Sequence, residues 1–122
     1  MAHNPGFLKL VNEAKSRVKE TDINGYKKML AAGEKSVLID VREDSEWAAG
    51  HAASAVHLGK GIIERDIESK IPDKATKLVL YCGGGFRSAL AADNLQKMGY
   101  RKVRSLAGGW KEWLKRGLPT EK

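Results

Sequence analysis

The chain has 122 residues, of which 42% are hydrophobic and 30% charged, and its formal net charge at pH 7 is +7. This length predicts one domain with an adequate core. Its single cysteine excludes an internal disulfide and a cysteine-rich zinc site. The basic excess lacks the recognisable module of a nucleic-acid-binding protein, so we interpret it as a solvated surface that attracts small anions.

No stretch of the sequence approaches the roughly 20 apolar residues of a membrane span. Residues 1–19 carry charges every few positions and lack the apolar centre of a signal peptide. We therefore expect a cytoplasmic protein whose partners include neither a membrane nor a nucleic acid.

Helical and strand patterns alternate along the chain. Helices are predicted at about 6–19, 22–33, 44–50, 62–71, 87–98 and 109–117, and strands at 37–41, 55–58, 78–81 and 103–106. The continuous apolar run at 37–41 is typical of a strand buried on both faces. The alternation predicts an α/β fold in which a small, mainly parallel sheet is flanked by helices on both faces.

We divide the chain into an N-terminal helical extension (1–20), a single domain (21–119) and a short tail (120–122). The extension carries apolar side chains at helical spacing. This stripe suits either a cover for the core of the domain or a docking surface for a partner. We favour the cover because the stripe is regular.

The cysteine, Cys82, follows the 78–81 strand and precedes a helix. Three glycines, Gly83, Gly84 and Gly85, let successive main-chain N–H groups turn inward and form a nest for negative charge. The N-terminus of the helix adds unpaired N–H groups and the positive end of its dipole. Both effects stabilise a thiolate, so we interpret Cys82 as a nucleophile and not as an inert buried thiol. Ligands of such sheets bind beyond the carboxyl ends of the strands, where both Cys82 and Asp40 fall.

Three phrases of the sequence together resemble the rhodanese (sulfurtransferase) family. The first is DVRE at 40–43, followed by EW at 46–47, GH at 50–51 and AVH at 55–57. The second is the loop from Cys82 to Arg87, which has four intervening residues. The third is GGW at 108–110 with Trp113 and GLP at 117–119. The resemblance covers about 21–119, and the order and spacing of the phrases make it specific.

The resemblance implies a thiosulfate sulfurtransferase that works through a persulfide on Cys82. A small anionic donor, thiosulfate or a persulfide, would supply the sulfane sulfur, and cyanide or a thiol would accept it. The resemblance also allows a protein sulfur-relay partner, and it implies neither a cofactor nor a metal. The implied substrate-binding residues are those of the loop: Gly83, Gly84, Gly85, Phe86, Arg87 and Ser88.

Supporting roles are predicted for a few charged residues near the loop. Arg87 can neutralise the bound anion or bind a carboxylate beneath the loop. We favour the second role, because a guanidinium fork matches a carboxylate, and we predict Asp40 as its partner. Arg42, from the first phrase, is a further supporting residue. Lys60 is a candidate contact for the donor, with a solvated loop lysine as the alternative.

The sequence departs from the family pattern in two places. It reads GHAASA at 50–55, where family members commonly have isoleucine, proline and glycine in the middle, so this stretch is expected to curve differently. The loop has no basic side chain before Arg87, although thiosulfate-specialised members often place cations there. Donor recognition is therefore expected to depend on main-chain N–H groups and on neighbouring segments.

Other chemistry-bearing side chains are interpreted as structural. His51 and His57 do not have the spacing of common zinc motifs, and the loop can ionise Cys82 without a general base. Trp110 and Trp113 lie three apart on a helix and are interpreted as core residues, not as a base-stacking platform.

Two alternative functions remain open. Cysteine-dependent phosphatases and related arsenate reductases use a similar loop, but with five residues between the cysteine and the arginine. A sulfur-relay or binding module without independent turnover would share much of this sequence, although inactive binding members typically lack the cysteine.

Overall fold

The computed structural model describes residues 3–122, which form a mixed α/β architecture. The helices are α1 (Pro5–Lys15), α2 (Ile23–Ala31), α3 (Asp44–Ala49), α4 (Ile63–Lys70), α5 (Phe86–Lys97) and α6 (Gly109–Lys115). The strands are β1 (Lys19–Thr21), β2 (Val37–Asp40), β3 (His51–Ala52), β4 (Val56–His57), β5 (Lys77–Tyr81), β6 (Lys102–Leu106) and β7 (Thr120–Glu121).

Five strands form a parallel sheet in the order β1-β6-β5-β2-β4. The chain runs from β2 outward to β4, returns to β5 on the other side of β2, and then continues outward to β6. The carboxyl ends of β2 and β5 therefore border the point at which the strand order reverses, where α/β sheets bind their ligands. The prediction of a small, mainly parallel sheet flanked by helices is confirmed.

The two faces of the sheet bury separate apolar clusters. Alternate side chains of a strand point to opposite faces, so Leu78 and Leu80 of β5 pack toward α4 and α5, while Val79 and Tyr81 pack toward α2 and α6. Helices cover both faces, which explains why β5 is a continuous apolar run.

The N-terminal segment packs against the rest of the chain. Val11 and Ala14 of α1 are buried, and α1 packs on α5. Beyond α1, Arg17 binds Asp93 of α5 with an Arg17 Nη2 to Asp93 Oδ2 distance of 2.7 Å. The stripe predicted for this helix thus covers part of the protein's own core.

Three strands were absent from the sequence-based prediction. β1, β3 and β7 are two or three residues long, too short to carry a readable alternation. β1 begins at Lys19, where the predicted first helix ends, and pairs with β6. β7 lies in the predicted tail and pairs antiparallel with β3. In the described part of the chain, no helix is long and apolar enough to cross a membrane.

Candidate active site

Cys82 lies directly after β5, at the carboxyl end of the sheet and in front of the N-terminus of α5. Cys82 is buried, with 1% of its surface exposed. The loop between β5 and α5 consists of Cys82 and the three glycines, and the last of these, Gly85, has a φ of 102°. This left-handed conformation, which disfavours any residue with a Cβ, turns the chain into α5 around the sulfur.

Hydrogen-bond donors of the loop point at the Cys82 sulfur. The Gly85 N–H group donates to Sγ at 3.1 Å and the Ser88 N–H group at 3.4 Å. The Ser88 hydroxyl lies 3.5 Å from Sγ and 2.7 Å from the Ser105 hydroxyl. Both serines are fully buried. The two main-chain N–H groups can therefore stabilise negative charge on the sulfur.

Helix α6 holds the loop from the other side. The Trp110 N–H group donates to the Cys82 carbonyl at 2.7 Å, and the Lys111 N–H group donates to the Gly83 carbonyl at 3.1 Å. This approach requires glycine at position 109, since a Cβ there would overlap the Cys82 carbonyl. The GGW phrase of the sequence is therefore part of the support of the Cys82 loop.

The prediction that Arg87 binds Asp40 is wrong. Arg87 forms a two-pronged ion pair with Glu46 of α3, with Nη1 to Oε1 at 2.7 Å and Nη2 to Oε2 at 3.2 Å. Asp40 ends β2 with its side chain on the face of Leu38, which belongs to the cluster on the α2 and α6 side. Arg87 lies in the first turn of α5, which covers the opposite face, so the two side chains do not meet.

The Arg87–Glu46 pair stabilises the charged forms of both groups. The hydrogen bonds from the Arg87 guanidinium lower the pKa of Glu46 below its ordinary value. The same bonds raise the pKa of Arg87, and the nearby Cys82 raises it further. Arg87 therefore anchors the start of α5 to α3, at the mouth of the site.

Asp40 belongs to a buried polar cluster beneath the loop. The Arg42 guanidinium binds both of its carboxylate oxygens at 2.8–3.1 Å, and the Tyr81 hydroxyl donates to Oδ2 at 2.6 Å. Burial, reinforced by this hydrogen bond, raises the pKa of Tyr81 above its usual range. Arg42 also donates to the Gly50 carbonyl at 2.7 Å. These bonds join the ends of β2 and β5 to the 50–55 segment.

A cleft of about 780 Å³ opens over the sulfur. Its lining includes Cys82, Gly83, Gly84, Phe86 and Arg87 of the predicted loop, Glu46 of α3, and Gly108, Lys111 and Glu112 from the beginning of α6, together with His3 and Phe7 from the N-terminal segment. Lys60, the predicted donor contact, is not among these residues.

Sequence reasoning missed several lining residues. Lys111 directly follows the GGW phrase, so its position in the sequence was a usable signal. No local pattern could have placed His3 and Phe7 at the site, because α1 reaches it only by packing on α5.

The histidine and tryptophan interpretations agree with the contacts. His51 Nδ1 lies 3.0 Å from the Trp47 carbonyl oxygen, and His57 Nε2 lies 2.9 Å from the Arg42 carbonyl oxygen. Trp113 is buried in the core. Trp110 packs beside that core, with the Arg42 guanidinium 4.6 Å above its ring.

The loop, its sulfur and the GGW support match a known protein family. The family of rhodanese-like domains matches residues 22–116. The protein belongs to the rhodanese-like family. A sulfurtransferase of Allochromatium vinosum is 36% identical over 102 residues, which are 84% of this chain and 94% of that protein. The protein is thus a member of the rhodanese-like sulfurtransferases.

Two solved structures of similar fold cover nearly the whole rhodanese-like chain. RPA3614 of Rhodopseudomonas palustris, a protein of unknown function described as a possible tyrosine phosphatase, superposes with a TM-score of 0.81 and is 26% identical, covering 99% of this chain and 98% of that one. The polysulfide-sulfur transferase homodimer of Wolinella succinogenes superposes with a TM-score of 0.79 and is 27% identical, covering 95% and 87%.

Replacing Glu46 by glutamine is expected to weaken the anchor of the catalytic loop in a pH-dependent way. Because the folded state lowers the pKa of Glu46, the pair stabilises the fold fully above the unfolded-state pKa of about 4.5. That contribution is lost as the pH falls through the lower folded-state value. With about a third of each side chain exposed, we expect a loss of about 1 kcal/mol at pH 7 and a smaller loss at pH 3.

Urea unfolding at both pH values measures this difference. The matched control is Glu68→Gln, which removes a more exposed partner of Lys74 and is expected to change stability by less than about 0.5 kcal/mol. A Glu46→Gln difference that is the same at pH 7 and pH 3 would contradict the assigned role.

Proposed function

We propose that the protein is a sulfurtransferase that carries a sulfane sulfur as a persulfide on Cys82, taking it from thiosulfate or a persulfide donor and passing it to cyanide or a thiol. The proposal depends on one observation above all: two N–H groups, of Gly85 and Ser88, donate to the Cys82 sulfur at 3.1 and 3.4 Å. Such donors favour the thiolate, which is the form that attacks sulfur.

In the first half-reaction the Cys82 thiolate attacks the outer sulfur of thiosulfate. A bond forms between Sγ and that sulfur, the S–S bond of the donor breaks, and its electron pair leaves with sulfite. The total charge of minus three is the same before and after. The persulfide keeps a negative charge on its terminal sulfur, which the exposed loop residue Gly84 and its neighbours can surround with N–H groups.

In the second half-reaction the acceptor attacks the terminal sulfur of the persulfide. With cyanide the products are thiocyanate and the regenerated Cys82 thiolate, and with a thiolate the product is a new persulfide. The donors that stabilised the attacking thiolate now stabilise it as the leaving group. One set of N–H groups therefore serves both steps, so no separate general base is required.

A phosphatase is the competing enzyme, and it is the description given to the similar protein RPA3614. Two observations favour sulfur transfer for this chain. The loop has four residues between Cys82 and Arg87, one fewer than cysteine-dependent phosphatases use to surround a phosphate. The Arg87 guanidinium is also engaged in a two-pronged bond with Glu46, whereas a phosphatase needs its arginine for the substrate.

Intact-mass measurement tests the proposal directly. After incubation with thiosulfate we expect a gain of one sulfur atom, and because the chain has one cysteine, an adduct that dithiothreitol removes must be on Cys82. Added cyanide is expected to remove it and release one equivalent of thiocyanate. A stable adduct that no small acceptor removes would instead favour a sulfur-relay role, and release of phosphate from an aryl phosphate would favour the phosphatase.

A further inference from the structure

One wall of the catalytic cleft is aromatic, and most of it comes from the N-terminal segment. The His3 ring lies 4.7 Å from the Phe86 ring and 5.3 Å from the Phe7 ring, measured between centroids, and the Phe7 and Phe86 rings lie 6.3 Å apart. The Lys15 ammonium lies 4.9 Å from the centre of the Phe86 ring. His3, Phe7 and Phe86 line the same cleft as Cys82.

Internal packing leaves part of the surface of these aromatic side chains accessible. Phe7 and Phe86 are only partly buried, and His3 is exposed. Phe86 is a residue of the catalytic loop itself, so an apolar group that contacts its ring lies next to the sulfur. An aromatic face offers no hydrogen bond to the oxygens of thiosulfate, but it binds an apolar group well.

The lining of the cleft also includes charged side chains. Arg87 is committed to Glu46, and Glu112 lies 3.7 Å from Arg116. Lys111 is exposed and makes no ion pair within residues 3–122. Lys111 is therefore the lining cation that remains available to an anionic group of a substrate.

The size of the cleft also exceeds what thiosulfate needs. A volume of about 780 Å³ is in the range of pockets that bind organic molecules of drug size. Thiosulfate has five heavy atoms and would leave most of this space to water.

We propose that the cleft contains a subsite for the organic group of the sulfur donor, formed by Phe7 and Phe86, with Lys111 facing the donor's anionic group. Phe7 is then a specificity-determining residue, because it favours donors that carry an apolar substituent over thiosulfate. This inference rests on the proposed function, because it assumes that Cys82 accepts the sulfur.

Benzenethiosulfonate and thiosulfate form a matched pair of donors for the test. With benzenethiosulfonate the Cys82 thiolate bonds to the terminal sulfur, the S–S bond of the donor breaks, and the electron pair leaves with benzenesulfinate. The total charge of minus two is conserved. The second-order rate constant for persulfide formation, followed by quenched intact mass, is measured for both donors, so the result does not depend on the acceptor.

The Phe7→Ala variant is expected to lower the ratio of the two rate constants, benzenethiosulfonate over thiosulfate, by about tenfold. Phe7→Leu keeps an apolar contact, so the logarithm of its ratio is expected to fall by less than half as much as in Phe7→Ala. The control is Leu10→Ala on the same helix, where the side chain is 58% exposed and does not line the cleft, and its ratio is expected to stay within twofold of the parent.

Two outcomes would overturn the inference. If Phe7→Ala slows both donors equally, Phe7 only positions the loop, and if neither rate constant changes, the wall does not contact the donor. Failure of the proposed function is distinguishable from both, because in that case neither donor would place sulfur on Cys82 of the unmodified protein.

Discussion

Replacing Cys82 by serine is expected to abolish thiocyanate formation, with a loss of at least about a thousandfold in kcat/KM. The hydroxyl is a far weaker nucleophile toward sulfur, and it cannot form a persulfide. Stability is expected to change by less than about 1 kcal/mol, because a serine hydroxyl can accept the N–H groups of Gly85 and Ser88 that now reach Sγ. Thiocyanate assay and urea unfolding measure the two quantities.

The control for this variant is Lys60→Ala. Lys60 is absent from the lining of the cleft, so its removal is expected to leave kcat and the KM for thiosulfate within twofold of the parent values. Thiocyanate formation by the serine variant above the uncatalysed rate would refute the persulfide mechanism. A raised KM in Lys60→Ala would place that lysine at the site after all.

Replacing Asp40 by alanine is expected to cost about 3–5 kcal/mol of unfolding free energy, which corresponds to about 12–20 °C in Tm. Asp40 is fully buried, and its carboxylate accepts from the Arg42 guanidinium and from the Tyr81 hydroxyl. Without it, Arg42 remains as a buried charge with 3% of its side chain exposed and no carboxylate beside it. The cost is thus mainly that of the unpaired guanidinium.

The chain offers a matched control for the loss of a carboxylate. Asp66 binds Arg65 through the same two-pronged geometry, at 2.7 and 2.9 Å, but 74% of the Arg65 side chain is exposed. Asp66→Ala is expected to cost less than about 1 kcal/mol. Equal losses in the two variants would show that burial does not decide the strength of these pairs.

The structure of the loop around Cys82 could be predicted almost completely from the sequence. An apolar strand, a cysteine, three glycines and a helical pattern follow one another without interruption, and each of these signals acts over a few residues. The structure adds which donors reach the sulfur: the N–H groups of Gly85 and Ser88. The sequence could not select them from the six residues of the loop, because the selection depends on the turn at Gly85.

The partner of Arg87 could not be predicted, because the choice between carboxylates depends on which face of the sheet each one occupies. Asp40 and Arg87 both lie at the carboxyl edge, which the sequence indicates correctly. They are on opposite faces, and Glu46, which is 41 positions from Arg87, binds it instead. The order of the elements predicts which residues lie at the carboxyl edge of the sheet. Which side chains bind one another also depends on the face of the sheet that each one occupies.

The sequence by itself determined the order of the helices and longer strands, the α/β architecture, and the position of Cys82 and its glycine loop at the carboxyl edge of the sheet. These features depend on local periodicity, turn residues and helix ends, all of which are encoded over short distances. Only the tertiary structure decided that Arg87 binds Glu46 and that the short strands β1, β3 and β7 form. It also decided that His3 and Phe7 line the cleft. Each of these depends on contacts between segments distant in sequence, which form only when the core of α1, α5 and the sheet has packed.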